Sequence, residues 1–181
     1  MRRVTLITMF LILGLSCIES SGADWKFIGG SVLQKSEKVI AYYDVESVES
    51  LSNGNVRAWT KAVSISEVER VSNLKEVIEK SAEKVAHGYY PPYVLLNPKT
   101  KYDDYINIIG WEEAANYDGI KPQLRTLLEV NCKEKMLRDL STIVYKKNGM
   151  TASNSNIGKW DYISPETNSE TLLKILCKDR K

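Results

Sequence analysis

The stretch from Glu129 to Lys181 constrains this chain more than any other. Cys132 closes a predicted strand, and Cys177 closes a predicted helix at the end of the chain. Between them stand the dipeptide Asn148-Gly149 and a segment with Trp160, Ile163 and Pro165. Asn-Gly between two apolar runs is the strongest short hairpin signal in the chain. A Cys132–Cys177 disulfide would pin the terminal helix to a β-sheet. The two cysteines lack the C-x-x-C spacing that tunes a redox thiolate, and no zinc-ligand spacing surrounds them. A structural bridge is the favoured reading.

The N-terminus supplies the compartment such a bridge needs. Arg2 and Arg3 precede an apolar run from Val4 to Leu15, which is short for a bilayer span. Ser21-Gly22-Ala23 follows, so residues 1–23 read as a signal peptide cut before Asp24. That cut removes Cys17 and leaves Cys132 and Cys177, an even pair suited to an oxidising space. The alternative is a lipoprotein, with Cys17 as the lipidated first residue. Gly14 stands where a lipobox prefers Leu, and Leu15 comes one step late. Soluble export is therefore favoured, and membrane attachment is expected only if Cys17 is lipidated.

The remainder, residues 24–181, is expected to form one domain. Hydrophobic residues make up 43% and charged residues 27%, which argues for a folded core over disorder. A formal charge of +2 gives no reason to expect nucleic acid as a partner. Trp25 to Ile28 reads as a short strand closed by a turn at Gly29-Gly30. Lys38 to Val45 is a β-branched and aromatic strand, Asn53-Gly54 is a turn, and Val56 to Val63 alternates with period two. Residues 64–121 change to a helical character. Asn73 and Glu76 suggest a capping box, and Gly88 a helix stop. Tyr105 to Tyr117 is a second helical candidate. Strands return at Leu124 to Cys132 and Leu137 to Tyr145, with Met150 to Ser153 as the hairpin return. Ser169 is a plausible cap for the last helix, and Leu172, Leu173 and Leu176 give it an apolar face. The fold class is α+β: an antiparallel sheet, a disulfide-linked C-terminal helix and a largely helical insertion at 64–121.

Taken in order, Tyr42-Tyr43-Asp44, Val56-x-x-Trp59-x-Lys61, Glu129-x-x-Cys132, Arg138 with Tyr145 and Gly149, Trp160-x-x-Ile163-x-Pro165, then Leu172 and Cys177 form a string. It resembles the surface-adhesin protein E family of Gram-negative bacteria, from about Trp25 to Cys177. The resemblance implies an exported α+β domain with the same disulfide, located in the periplasm, outer membrane or cell surface, and capable of homodimers. It implies a protein partner, either host matrix or another envelope protein, and no enzymatic activity. The alternative is a periplasmic structural or assembly factor. The family's binding stretches find no matching motif here, so none of their residues carries over.

The residues offer little catalytic chemistry. His87 is the only histidine, at a predicted helix end, and no G-x-S-x-G or comparable nucleophile motif accompanies it. No Gly-rich phosphate loop or cofactor motif occurs, and no metal site is expected. Asp103-Asp104 and Glu112-Glu113 read as helix starts and solvated faces. The candidate binding surface is Tyr89, Tyr90, Pro92 and Tyr93. Tyrosine combines contact area with a polar tip, and the prolines stiffen the segment. The competing reading packs these rings onto the sheet. Trp59 and Trp160 read as core or sheet-face residues.

Overall fold

The computed structural model describes residues 23–32, 38–89, 91–92, 102–116 and 120–178. Residues 1–22 of the predicted leader, Cys17 among them, lie outside these, and so do Tyr90, Tyr93, Tyr117 and Gly119. The strands are β1 (Trp25–Val32), β2 (Lys38–Asp44), β3 (Glu49–Ser50), β4 (Val56–Ser64), β5 (Gln123–Asn131), β6 (Met136–Tyr145), β7 (Thr151–Asn154) and β8 (Asp161–Tyr162). They form one sheet in the order β1-β2-β4-β5-β6-β7, with β3 on β4 and β8 on β6. Each pairing is antiparallel. Between β4 and β5 run helices α1 (Ile65–Ser72), α2 (Lys75–Ala86) and α3 (Tyr102–Asn116); α4 (Asn168–Leu176) ends the chain.

Period-two alternation divides the apolar residues between the two sheet faces. Trp25, Phe27, Ile40, Tyr42 and Val63 point to α1–α3, where Val68, Val71, Val77 and Ile108 complete one core. Ile28, Tyr43, Val56, Ala58 and Val130 point the other way and meet Leu172, Leu173 and Leu176 of α4. Cys132, just past β5, is bonded to Cys177, the C-cap of α4, with Cα atoms 5.7 Å apart. The sheet, the terminal helix and their covalent link are therefore as expected from the sequence.

Four local expectations need correction. Gly29-Gly30 is no turn: β1 runs on to Val32, and the register shifts between Phe27 and Gly29. A Cβ at Gly29 would lie 2.3 Å from Oδ1 of Asn168, so this position brings β1 close against the start of α4. Asn73 does not cap α2, whose N-cap Leu74 has no side-chain bond. Nδ2 of Asn73 instead donates to the Glu69 carbonyl at 2.8 Å and closes α1. Helix α1 itself went unread, although Ile65, Val68 and Val71 mark its buried stripe. Thr167, and not Ser169, caps α4: its Oγ1 accepts from the Glu170 amide at 3.2 Å. Carboxylate oxygen Oε2 of Glu170 accepts from the Glu166 amide at 2.8 Å, one residue before the cap, a displaced form of the reciprocal bond in a capping box.

The fourth correction is Glu112-Glu113. Both are buried, Glu112 completely. Helix α3 is enclosed by α1, α2 and β1, so its buried positions run around most of its circumference. That is also why its apolar periodicity looked weak. The side chains of Asp103 and Asp104 lie outside the described set.

Candidate functional site

A cluster of buried and half-buried polar residues sits where α3 crosses the edge of the sheet. β1 is an edge strand, and half of its amides point away from β2. Two of them find side chains of α3: the Trp25 amide donates to Oδ1 of Asn116 at 2.8 Å, and the Phe27 amide to Oε1 of Glu112 at 3.0 Å. Alternate residues of a strand lie about 6.6 Å apart, and residues four apart on a helix about 6 Å. Helix and strand repeats therefore match, and the i, i+4 pair caps the edge.

Oε2 of Glu112 accepts from the Tyr89 hydroxyl at 2.7 Å. The ammonium groups of Lys26 and Lys84 lie 4.8 Å and 5.2 Å from the Tyr89 ring centre, and Lys84 also pairs with Glu113. Burial raises the Glu112 carboxyl above its ordinary range, although the Phe27 amide, the Tyr89 hydroxyl and the two lysines oppose this. Burial and the Glu112 charge likewise push the Tyr89 phenol up. Two strands over, on β4, Lys61 is 2% exposed, donates to the Ala115 carbonyl and lies 4.2 Å from the Trp25 ring centre. Burial and the opposing Arg125 lower its pKa to about 6, while Asp44 acts the other way.

A buried carboxylate, phenol and amine are the ingredients of acid–base chemistry. Here each is engaged by protein groups, and the ligand-sized groove lies elsewhere. That groove, of about 440 Å³, opens between α2 and α3, with Ile78, Ala82, Val85 and Trp111 as apolar walls, Gly110 in the floor and Ser81 among its polar groups. The polar layer holds α3 on the sheet. Glu112→Leu is therefore expected to cost about 3 kcal/mol in urea denaturation, by removing the acceptor of the Phe27 amide and of the Tyr89 hydroxyl. The raised carboxyl makes the folded state the better proton binder just above the unfolded pKa, so this contribution weakens as pH rises from there. Glu112→Gln should lose that decline.

The remaining sequence candidates are spread out. Tyr89 is half-buried against α3, Pro91 is buried and Pro92 half-buried. His87 is exposed at the end of α2, with Nδ1 2.8 Å from the Glu83 carbonyl. Trp59, Lys61, Glu129, Arg138 and Tyr145, scattered in sequence, share one sheet face. There the Arg138 guanidinium lies 4.5 Å from the Trp160 ring centre, and Arg125 lies 5.3 Å from Trp25 and 5.0 Å from Tyr145. Glu129, 1% exposed, accepts from Nδ2 of Asn55 at 2.8 Å and from Nη2 of Arg138 at 2.7 Å. Burial alone would raise the Glu129 carboxyl. Those bonds and the charges of Arg138 and Arg57 outweigh it and hold the carboxyl below its ordinary value. Sequence reasoning missed Lys61, Arg125 and Glu112 as buried or stacked groups. The available signal was a charge set inside an apolar run, as in Ile108-Ile109-Gly110-Trp111-Glu112.

These features define a class: an antiparallel α+β domain with helices on both faces and its terminal helix disulfide-bonded to the sheet. Within it, residues 108–178 match the family of surface-adhesin protein E, and the resemblance read from the sequence holds over that stretch. The matched stretch contains most of the described side chains of α3, the strands β5–β8, the disulfide and α4. A solved structure, crystal form II of Haemophilus influenzae protein E, is similar at 14% identity with a TM-score of 0.40, over 86% of this chain and 88% of that one. No curated protein matches the sequence.

Proposed function

We propose that this protein is an exported, non-enzymatic, adhesin-like module of the Gram-negative envelope that acts through protein–protein contacts. The match of residues 108–178 to a family of surface adhesins carries the reading. The contact surface is the groove between α2 and α3, together with the sequence candidates Tyr89, Tyr90, Pro92 and Tyr93, which follow α2 in the chain. Trp111 and Gly110 of the groove fall within the matched stretch. An apolar recess with a few polar groups in its lining suits a partner's hydrophobic side chain.

Protease treatment of intact cells tests the location. A surface module is removed without lysis, whereas protection would place the protein in the periplasm and favour a structural or assembly role there. The groove has its own test. Ile78 is 52% exposed, so Ile78→Asp should change stability by no more than about 0.5 kcal/mol. It should weaken capture of the partner that the wild type retains from matrix or envelope extract by about tenfold. Equal capture by both proteins would remove the groove from the contact surface.

A further inference from the structure

We propose that the half of the sheet face left open by α1–α3 docks an acidic segment of a protein partner, whose carboxylates are taken by Arg125, Arg138 and Arg57. The principal helix contacts on the sheet are with β1, β2 and β4. Beyond them, on β4–β6 and the segment before β8, Trp59, Arg125, Leu127, Arg138, Tyr145 and Trp160 are half-buried. Tryptophan, tyrosine and arginine are the residues that dominate protein-interface energetics.

The charge there is unbalanced. Three guanidiniums face one buried carboxylate, Glu129, and both of its oxygens are already engaged by Asn55 and Arg138. Among the described residues only Arg138 of the three is ion-paired. Arg57 lies between Glu129 on β5 and the exposed Glu49 on β3, yet its buried Nε has no hydrogen-bond acceptor. Arg125 is held between the Trp25 and Tyr145 rings, with Nε donating to Oε1 of Gln123 at 3.0 Å. A guanidinium fixed on aromatic faces has already lost its rotamer freedom, which lowers the ordering cost of binding a carboxylate side-on. The excess is local, since the whole chain carries only +2. A short acidic segment fits that balance better than a polyanion does.

The proposal adds a partner chemistry to the protein-contact reading and rests on it only in taking the partner to be a protein. It concerns a surface distinct from the α2–α3 groove, so its failure leaves that reading standing. The test is calorimetric titration of the full exported chain with hexaglutamate, with hexaglutamine as the neutral probe. Hexaglutamate should bind saturably and more weakly as salt is raised from about 50 to about 300 mM. Arg125→Gln, at a half-buried position, should fold and should reduce the affinity at least about fivefold. Lys174→Gln on α4 should leave it unchanged. Indistinguishable binding of the two peptides would overturn the proposal. So would equal affinity of Arg125→Gln and wild type, or tighter binding of an oligodeoxynucleotide of the same charge.

Discussion

Replacing Lys61 by Met will flatten the pH dependence of stability above pH 6. The ammonium form is favoured by the Trp25 and Tyr42 rings, 4.2 Å and 5.7 Å away, and by Asp44. Burial and the guanidinium of Arg125, directly across the β4–β5 pair, outweigh these and bring the folded pKa to about 6. The unfolded chain keeps the ordinary lysine value near 10.4. Between those values the unfolded state binds the extra proton, so wild-type stability rises with pH by up to about 1.4 kcal/mol per unit. Below pH 6 both states are protonated and the slope disappears. Met fills a similar volume and has no proton to lose, but it leaves the Ala115 carbonyl without its donor, at about 1 kcal/mol. The variant should therefore be more stable than wild type at pH 7 and slightly less stable near pH 10.5. Urea denaturation at several pH values checks the crossing. Parallel curves would mean that Lys61 stays protonated in the folded state.

That burial explains why part of this fold was legible and part was not. Signals that depend on neighbours in sequence were read correctly: alternation through Val56–Val63, the Asn148-Gly149 turn, the leucine face of α4. The disulfide was legible because the predicted export left two cysteines at the ends of two adjoining elements. Positions set by contacts distant in sequence were not legible. Lys61 looked like the solvent side of a half-buried strand, because nothing local says that α3 covers that face and that the Ala115 carbonyl meets the amine. Glu112 looked like a solvated charge, because its role belongs to an edge strand 85 residues earlier in the chain. Gly29-Gly30 looked like a stop, because the close approach of Asn168 is invisible from the glycines alone. The proposed contact surfaces share this limit. The tyrosine segment is contiguous in sequence, whereas the arginine face draws Arg57, Arg125 and Arg138 from three strands and becomes visible only through their register.

The double variant Cys132→Ser/Cys177→Ser should lose stability in a spatially uneven way. The bridge spans 45 positions, and on the chain-entropy account a loop of that size contributes about 4 kcal/mol. For a domain of this size that corresponds to a fall in Tm of roughly 10 °C. The structure says where the loss concentrates. α4 has nine residues, too few to be helical on its own, so it depends on burying Leu172, Leu173 and Leu176 against Ile28, Tyr43, Val56 and Val130. Without the bridge it is held chiefly by this apolar contact and the Thr167 cap. Its departure would expose that sheet face while α1–α3 still cover the β1–β2–β4 half of the other. Hydrogen exchange of the double variant should therefore speed up first in α4 and next to Val130 at the end of β5, with the β2–β4 ladder beneath α1 protected longest. A uniform rise across both cores would mean that the two faces unfold as one unit and that the bridge acts only through the unfolded chain. A variant as stable as wild type would show that the leucine contact alone holds the helix, and the disulfide would then have no part in bracing the sheet.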